Sequence, residues 1–446
     1  MHTDTHKKSY RFNRLQPRTD WSFRHVGRKE TNSYTHGYHR YPAKFIPQIV
    51  RKLIQKFAPK GNEIICDPFG GCGTTLVEAK ISGRESIGFD INPIAKLITQ
   101  VKVSNISPEL LEKSREEFLK NYEKSNAKKN RHSDRVKYWF KAITIKELDR
   151  IYFAIIKIKN PKVKKFFLCA FSHNLKNCSR WLMKSIKPTI DKNKKIANPK
   201  DSFLRHLDTM IRKNKQFHDQ LEESGNSKVK AAMFKRDSTK RLPRANNSVD
   251  LIITSPPYVT SYEYADLHQL SLLWYGDDKK NFKKWNKFSK EFNNFRRQFI
   301  GTSIKGTMRK TKPGSINIDS ATAQKIISKL ELVDKPLAAD VKNYFFSMQK
   351  VFKEMYRILK KGGMACVIVG NTNLRDTEIL NAEVAAEQMS KIGFRKTDFI
   401  KREVLNKMIT PWRDEKTGKF TGLDNPDKKR VYQFEYIVVM EKVSNV

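Results

Sequence analysis

Between Pro47 and Phe57 the apolar side chains fall at Ile49, Val50, Leu53, Ile54 and Phe57, the one-sided spacing of an amphipathic helix opened by a proline and closed by Pro59 and Gly61. The rhythm then changes. Glu63–Asp67 is a short apolar run suited to a buried strand, and it leads into Phe69-Gly70-Gly71-Cys72-Gly73-Thr74-Thr75, a helical stretch Leu76–Ser82 and a second apolar run Glu85–Asp90. Strand, glycine loop, helix, strand is a βαβ unit, which predicts parallel strands, a right-handed crossover and helices on both sheet faces.

The alternation then breaks. Residues 106–230 read as helices without strands, at Pro108–Glu123, Ile143–Ile158, Lys164–Leu175 and Ser202–Leu221. Strands resume at Ala231–Arg236 and at Val249–Thr254, and the latter runs into Ser255-Pro256-Pro257-Tyr258. A second irregular and basic stretch covers 276–335. A long amphipathic helix, Ala338–Leu359, follows, with Lys361-Gly362-Gly363 as its stop signal and Met364–Val369 as the next strand. Two late apolar segments, Phe394–Val404 and Val431–Glu441, flank a polar loop containing Pro411, Trp412, Gly418 and Gly422 and predict a closing antiparallel hairpin. Residues 1–35 are polar, basic and without period, and are expected to form an arm with little fixed structure. The pattern as a whole predicts an α/β fold with a doubly wound, mostly parallel sheet interrupted by a helical insertion. No repeat of 20–50 residues occurs, which disfavours a solenoid.

Composition adds a partner to this outline. With 446 residues the chain exceeds one average domain, and 38% hydrophobic residues supply a sizeable core. Its 89 Lys plus Arg against 46 Asp plus Glu leave a formal charge of +43, a surface that attracts polyanions and above all nucleic acid. Residues 121–230 alone carry 28 basic and 10 acidic side chains. No apolar run approaches the roughly 18 residues that cross a bilayer, and the opening MHTDTHKKSYRFNRL lacks a hydrophobic signal core, so a soluble, intracellular protein is expected. The five cysteines, Cys66, Cys72, Cys169, Cys178 and Cys366, form no CxxC pair and are read as reduced cytoplasmic thiols.

Two segments carry chemistry. Gly70, Gly71 and Gly73 strip side-chain bulk from the loop after the first strand, where a ligand approaches backbone N–H groups at a helix start. Asp90 follows Gly73 by 17 residues, near the roughly 20-residue offset at which an acid meets ribose hydroxyls. The same glycines also fit a plain tight turn with a surface Asp. No GxxxxGK[ST] is present, which argues against a P-loop enzyme. In Ser255-Pro256-Pro257-Tyr258, two prolines stiffen the chain just beyond a buried strand and remove two donors, leaving an acceptor-rich loop. The Ser255 hydroxyl and the Pro256 carbonyl suit the two N–H protons of an exocyclic amine, with the Tyr258 ring stacked on the base. A Pro-Pro turn ending a strand is the plainer alternative.

Together these segments resemble the amino-methylating class of S-adenosylmethionine-dependent DNA methyltransferases. The hallmark motifs of that class, FxGxG and (D/N/S)PP(Y/F), are matched by Phe69–Gly73 and Ser255–Tyr258, and His39–Phe45 is similar to the short motif that precedes the cofactor strand. The resemblance covers about 36–105, 231–275 and 336–442. It implies a Rossmann-like methyltransferase core with a cofactor half (36–105), a catalytic half (231–275) and a C-terminal part (336–446). The arm 1–35, the helical insertion 106–230 and the basic aromatic insertion 276–335 lie outside that core. It further implies that S-adenosyl-L-methionine is held by Tyr41, Pro42, Lys44, Asp67, Phe69, Gly71, Gly73, Thr74, Asp90 and Asp237, with Asp90 at the ribose and Asp237-Ser238 on the adenine side. Ser255, Pro256, Pro257 and Tyr258 are implied to hold and activate a base flipped from double-stranded DNA.

Serine in the first motif position is similar to the cytosine-N4 subgroup; adenine-N6 methylation, RNA guanine-N2 methylation and non-catalytic nucleic-acid binding are the alternatives. The resemblance also leaves room for restriction-modification with a cognate endonuclease, a prokaryotic setting, although the chain itself carries no nuclease motif. Carbon-5 methylation is set aside because no cysteine follows a proline. A metal is not expected: His36 and His39 are three apart with no second cluster, and they are read as positioning the segment before Pro42 or as simply solvated. The main insertion precedes the Asp237-Ser238 segment, a departure from the family's usual placement between that segment and the catalytic loop.

Target reading is expected from the insertions. Residues 279–310 carry 11 basic side chains and one Glu, interleaved with Phe282, Trp285, Phe288, Phe292, Phe295 and Phe299 at the spacing of one helical stripe. These aromatics are expected to pack inward while Lys283, Lys284, Lys287, Arg296 and Arg297 face phosphate or solvent. Asn177–Trp181 and Lys192–Lys195 are the other candidate surface for backbone phosphates, with a merely solvated lysine face as the plainer alternative.

Overall fold

A computed structural model of the chain describes residues 10–41, 44–126, 132–259, 263–302, 317–404, 412–414, 421–430 and 433–443. Seven strands form one sheet: β1 (Ile65–Asp67), β2 (Ser86–Asp90), β3 (Ala231–Lys235), β4 (Val249–Thr254), β5 (Leu359–Val369), β6 (Phe394–Glu403) and β7 (Phe434–Lys442). Their order is β3-β2-β1-β4-β5-β7-β6. The first five run parallel, and β7 lies antiparallel between β5 and β6. This is the expected doubly wound α/β sheet with its closing antiparallel hairpin. Strand order reverses between β1 and β4, and a crevice opens at such a switch point beyond the strand ends.

Side-chain alternation shows why both faces are covered. Ile65, Leu251, Ile253, Cys366 and Ile368 point to one side, where Ile49, Val50, Leu53 and Ile54 of the helix Pro47–Phe57 bury them. Cys66, Val249, Ile252, Ala365 and Val367 point to the other, against the helices Ala321–Val333, Lys335–Ile358 and Asn381–Ile392. The helices expected between 106 and 230 stand at Pro108–Glu123, Ala142–Lys157, Pro161–Cys178 and Pro199–Glu223, with a shorter one at Asp134–Trp139. They do not form an isolated unit. Phe118, Tyr152, Phe166 and Phe171 share one core with Ile98 of the helix Pro93–Lys102 and with Trp274 and Tyr275 of the helix Gln269–Asp277.

Four expectations are corrected. The arm, from residue 10 onward, is packed: Phe12 and Trp21 are buried, Pro17 bridges to Lys401, and the Arg18 N–H donates to the Lys401 carbonyl at 2.8 Å. Aromatics without period can still be buried when a strand edge supplies their partner. Second, Lys361-Gly362-Gly363 does not end the helix, which stops at Ile358; these residues lie inside β5. There the register moves from Val249↔Leu359 to Leu251↔Met364, and Gly362 takes φ +75°, so the glycines serve a bulge. Third, the stretch 276–335 contains the regular helix Ala321–Val333, while its aromatic run folds as short turns at Lys283–Trp285, Asn286–Lys290 and Phe292–Arg296 rather than one helix. Phe292 and Phe295 are buried and Phe282, Trp285 and Phe299 pack against the helical core, so the inward expectation holds for them; the Phe288 side chain lies outside the described residues, as do Pro411 and Gly418. Fourth, Lys194 turns inward and donates to the carbonyls of Lys176 and Trp181 at 2.6 and 2.8 Å, so it is not a phosphate contact.

Candidate active site

The loops after β1 and β4 are tied together at their roots. Asp67, the last residue of β1, is buried, and its carboxylate accepts from the Phe69 N–H at 3.0 Å and from the Thr254 hydroxyl at 2.6 Å. Thr254 ends β4 and is followed by Ser255. The Thr75 hydroxyl adds a second tie, donating to the Ile253 carbonyl at 3.3 Å. Burial raises the Asp67 carboxyl to about 6 against the lowering effect of these donors.

Asp90 closes β2 beside the glycine loop. Its carboxylate accepts from the Gly71 N–H at 3.2 Å and from the Asn92 N–H at 2.7 Å, and desolvation raises it to about 6. Gly71 adopts φ +47°, and a Cβ there would come within 3.1 Å of the Tyr41 hydroxyl. Only glycine leaves the loop open at this point.

Over these strand ends lies a cavity enclosing about 890 Å³ of empty space, mouth included. Asp67, Phe69, Gly71 and Thr74 line it from the glycine loop and Asp90 from β2; Tyr41 and Lys44 face it from the N-terminal segment, and Asp237 with Ser238 from the turn after β3. Ser255, Pro256, Pro257 and Tyr258 form its other wall. Twelve of the fourteen residues singled out in the sequence therefore meet at one place. Gly73 does not line it: with φ +81° it starts the helix Thr74–Ile81, and a Cβ would meet the Thr99 side chain at 2.6 Å. Pro42 lies outside the described residues.

Neighbouring groups hold these side chains. His36 pairs with Glu78 at 2.8 Å while Arg51 donates to the same carboxylate at 2.9 Å, and His39 pairs with Ser172 at 2.9 Å. The segment carrying Tyr41 and Lys44 is thus pinned between the helix Thr74–Ile81 and the helix Pro161–Cys178. The Lys44 ammonium donates to the His36 carbonyl at 3.2 Å, and burial lowers it to about 8. On the opposite wall, the Tyr258 hydroxyl donates to Glu435 at 3.2 Å, and the other oxygen of Glu435 accepts from Arg402 at 2.6 Å. Arg402 in turn donates to the Trp21 carbonyl at 2.9 Å.

The structure adds Arg236, Tyr264, Gln298, Phe299 and Ile300 to the cavity wall. Phe299 had a signal as the last of the aromatic run. The rest lie in loops whose approach to the strand ends no local pattern reveals. Among the described residues, no cluster of three or more His, Cys, Asp or Glu side chains is placed to hold a metal ion, and no helix is long and apolar enough to cross a membrane.

An α/β sheet with a cavity over its switch point, walled by a glycine loop and a proline loop, defines a class of enzymes that bind a nucleotide-like ligand at strand ends. Residues 2–100 and 249–446 match the family model described as DNA methylase, and the chain belongs to that family, the amino-methylating N6/N4 DNA methyltransferases. It is 26% identical over 435 residues to the type II methyltransferase M.MvaI of Kocuria varians, covering 93% of this chain and 94% of that protein. It is also 26% identical over 412 residues to the type II methyltransferase M.BsoBI of Geobacillus stearothermophilus, covering 82% and 79%. Among solved structures, the rRNA methyltransferase AviRa of Streptomyces viridochromogenes aligns over 90% of this chain and 86% of its own at 10% identity and a TM-score of 0.33. With family membership come DNA as substrate and S-adenosyl-L-methionine as cofactor.

Proposed function

We propose that this enzyme methylates the exocyclic amine of a base flipped out of duplex DNA, and that the base is cytosine, modified at N4. The reading rests on one observation: the Asp67 carboxylate ties Phe69 to Thr254, the residue before Ser255, and the glycine and proline loops wall a single cavity. The choice of cytosine is supported by Ser255 in the first position of the proline motif.

The residues present fit the cofactor. The Gly71 position leaves a cradle that a Cβ would fill, and the carboxylates of Asp67 and Asp90 line the cavity beside it. Asp90 would accept from the ribose hydroxyls, Asp237 would face the adenine side, and Tyr41 and Lys44 would hold the methionine end, with Phe69, Gly71 and Thr74 shaping the floor. Bound, the cofactor supplies a methyl carbon made electrophilic by its sulfonium. Ser255 and the proline-loop carbonyl draw on the amine's two N–H protons, which localises a lone pair otherwise spread into the ring, and Tyr258 stacks on the base. No covalent enzyme–base bond is needed, and the five cysteines are buried. The segments 106–230 and 276–335 would hold the DNA around the target.

Hydrolysis of DNA modified by the enzyme to nucleosides tests the base. N4-methylcytosine is expected. Recovery of N6-methyladenine alone would overturn the cytosine assignment while leaving the cavity's role intact.

A further inference from the structure

A second groove borders the first cavity. It is open, with about 1280 Å³ of empty space, and lies between the helix Asp134–Trp139 with Lys187 on one side and Glu263, Asp266 and Arg296 on the other. The partition between the two is thin. Glu263 faces the groove while the next residue, Tyr264, lines the first cavity; Arg296 faces the groove while Gln298 and Phe299 line the cavity. A nucleotide swung into the first cavity leaves its duplex neighbours beside the second.

We propose that this groove reads the base pairs flanking the target base, with Arg135 and Tyr138 as its principal reading residues; the proposal rests on the assignment of the first cavity to the flipped base. Charge decides between base edges and phosphates as the groove's ligand. Phosphate contacts are made by cations and neutral donors and are opposed by carboxylates. Yet in a chain of formal charge +43, the groove balances Arg135, Lys187 and Arg296 against Asp134, Glu263 and Asp266. Such a mixed set of donors and acceptors matches the groove edges of base pairs, where a guanidinium fork meets guanine O6 and N7 and a carboxylate meets the cytosine amine.

The geometry divides the set into a support and a reading edge. Arg296 is held on Asp266, with Nε 3.2 Å from Oδ1 and a terminal nitrogen 3.3 Å from Oδ2, and its Nε lies 3.7 Å from Glu263. Asp266 is buried, and Glu263 accepts from the Thr302 hydroxyl at 3.0 Å. This side is a fixed wall. The facing helix presents Arg135, whose guanidinium stands 5.0 Å from the Phe292 ring centre, and Tyr138, a large aromatic left 56% exposed on the edge of the buried Trp139. The Arg180 guanidinium lies 5.9 Å from the Tyr138 ring centre, and an exposed ring on the same short helix as Arg135 is a surface for stacking on a base or wedging beside one.

The test uses the full-length enzyme on a DNA pool of random sequence, with sequencing of the modified sites for the wild type, Arg135→Gln, Tyr138→Ala and Tyr138→Phe. Arg135→Gln is expected to lose ~10-fold or more of the discrimination at a base pair next to the modified base, with cofactor affinity and the salt slope of DNA binding unchanged. Tyr138→Ala should relax a neighbouring position, and Tyr138→Phe should restore it. Both positions are exposed, so the fold should tolerate the changes. A uniform fall on all sequences with a shallower salt slope would overturn the inference in favour of phosphate binding, and an unchanged site preference would overturn it outright. A wild type that methylates DNA regardless of flanking sequence refutes the groove's role alone; one that leaves DNA unmethylated refutes the reading of the first cavity as well.

Discussion

At Asp90 two opposing effects meet. Desolvation pushes its carboxyl up to about 6, while N–H groups from Gly71 and Asn92 favour the charged form. Ribose hydroxyls would add donors to the same carboxylate and lower its pKa, so binding below about pH 6 must expel a proton. Cofactor affinity in wild type should therefore rise with pH toward 6, by up to ~10-fold per pH unit, and flatten above it. Calorimetry across pH 5–8 checks this, and Asp90→Asn should bind weakly with a flatter profile. Stability of the cofactor-free protein should move the other way. The folded pKa lies above the ordinary 3.8, so the native state holds more protons in that window and loses stability as pH rises through it. Tyr258 makes a different case, because its hydroxyl is held by Glu435, which Arg402 in turn braces. Tyr258→Ala should cut turnover ~100-fold or more and leave cofactor affinity within a few-fold, in single-turnover and binding assays. Equal losses in both quantities would contradict the assignment. Asp90 and Tyr258 were legible in the sequence because Asp90 ends a strand and Tyr258 closes a short motif just beyond one. Glu435, 177 residues from Tyr258, was not, since a hydrogen bond across the sheet leaves no local trace.

At the level of elements, local stripes were legible and long-range pairings were not. The helix Pro108–Glu123 and the strand Val249–Thr254 stand where the pattern puts them, because each buries one face whatever its neighbours do. The helix Asn381–Ile392 was missed. Its Glu383, Glu387 and Gln388 are all buried, accepting from or donating to groups in three other segments, so its inward face carries charge where a stripe would carry leucine. The N-terminal segment was misread for a related reason: its order depends on β6, an edge strand that it covers. Trp21 is fully buried there, stacked under Lys52 at 4.6 Å, and its carbonyl receives Arg402. Trp21→Ala should accordingly cost about 3–5 kcal/mol in urea unfolding. A loss below about 1 kcal/mol would mean that the segment merely rests on the sheet.

Over the whole molecule, charge was legible from composition alone, but its deployment was not. The helical segment 106–230 shares a core with the helices Pro93–Lys102 and Gln269–Asp277, which places its basic surface in fixed relation to the cavity instead of on a hinged lobe. Some of that charge is spent internally, as at Lys194, while Lys192 and Lys195 remain exposed. Charge therefore separates into three uses: structural donors, a balanced groove beside the catalytic cavity, and a cationic remainder available to phosphates. If six to ten phosphates are neutralised, DNA affinity should fall ~10³–10⁵-fold between 50 and 200 mM salt. Cofactor affinity, set inside a partly closed cavity, should change far less over the same range. Fluorescence titration of DNA and cofactor in parallel distinguishes the two: a shallow DNA slope equal to that of the cofactor would show that the excess of basic residues lies away from the duplex, and that binding rests on the two cavities alone.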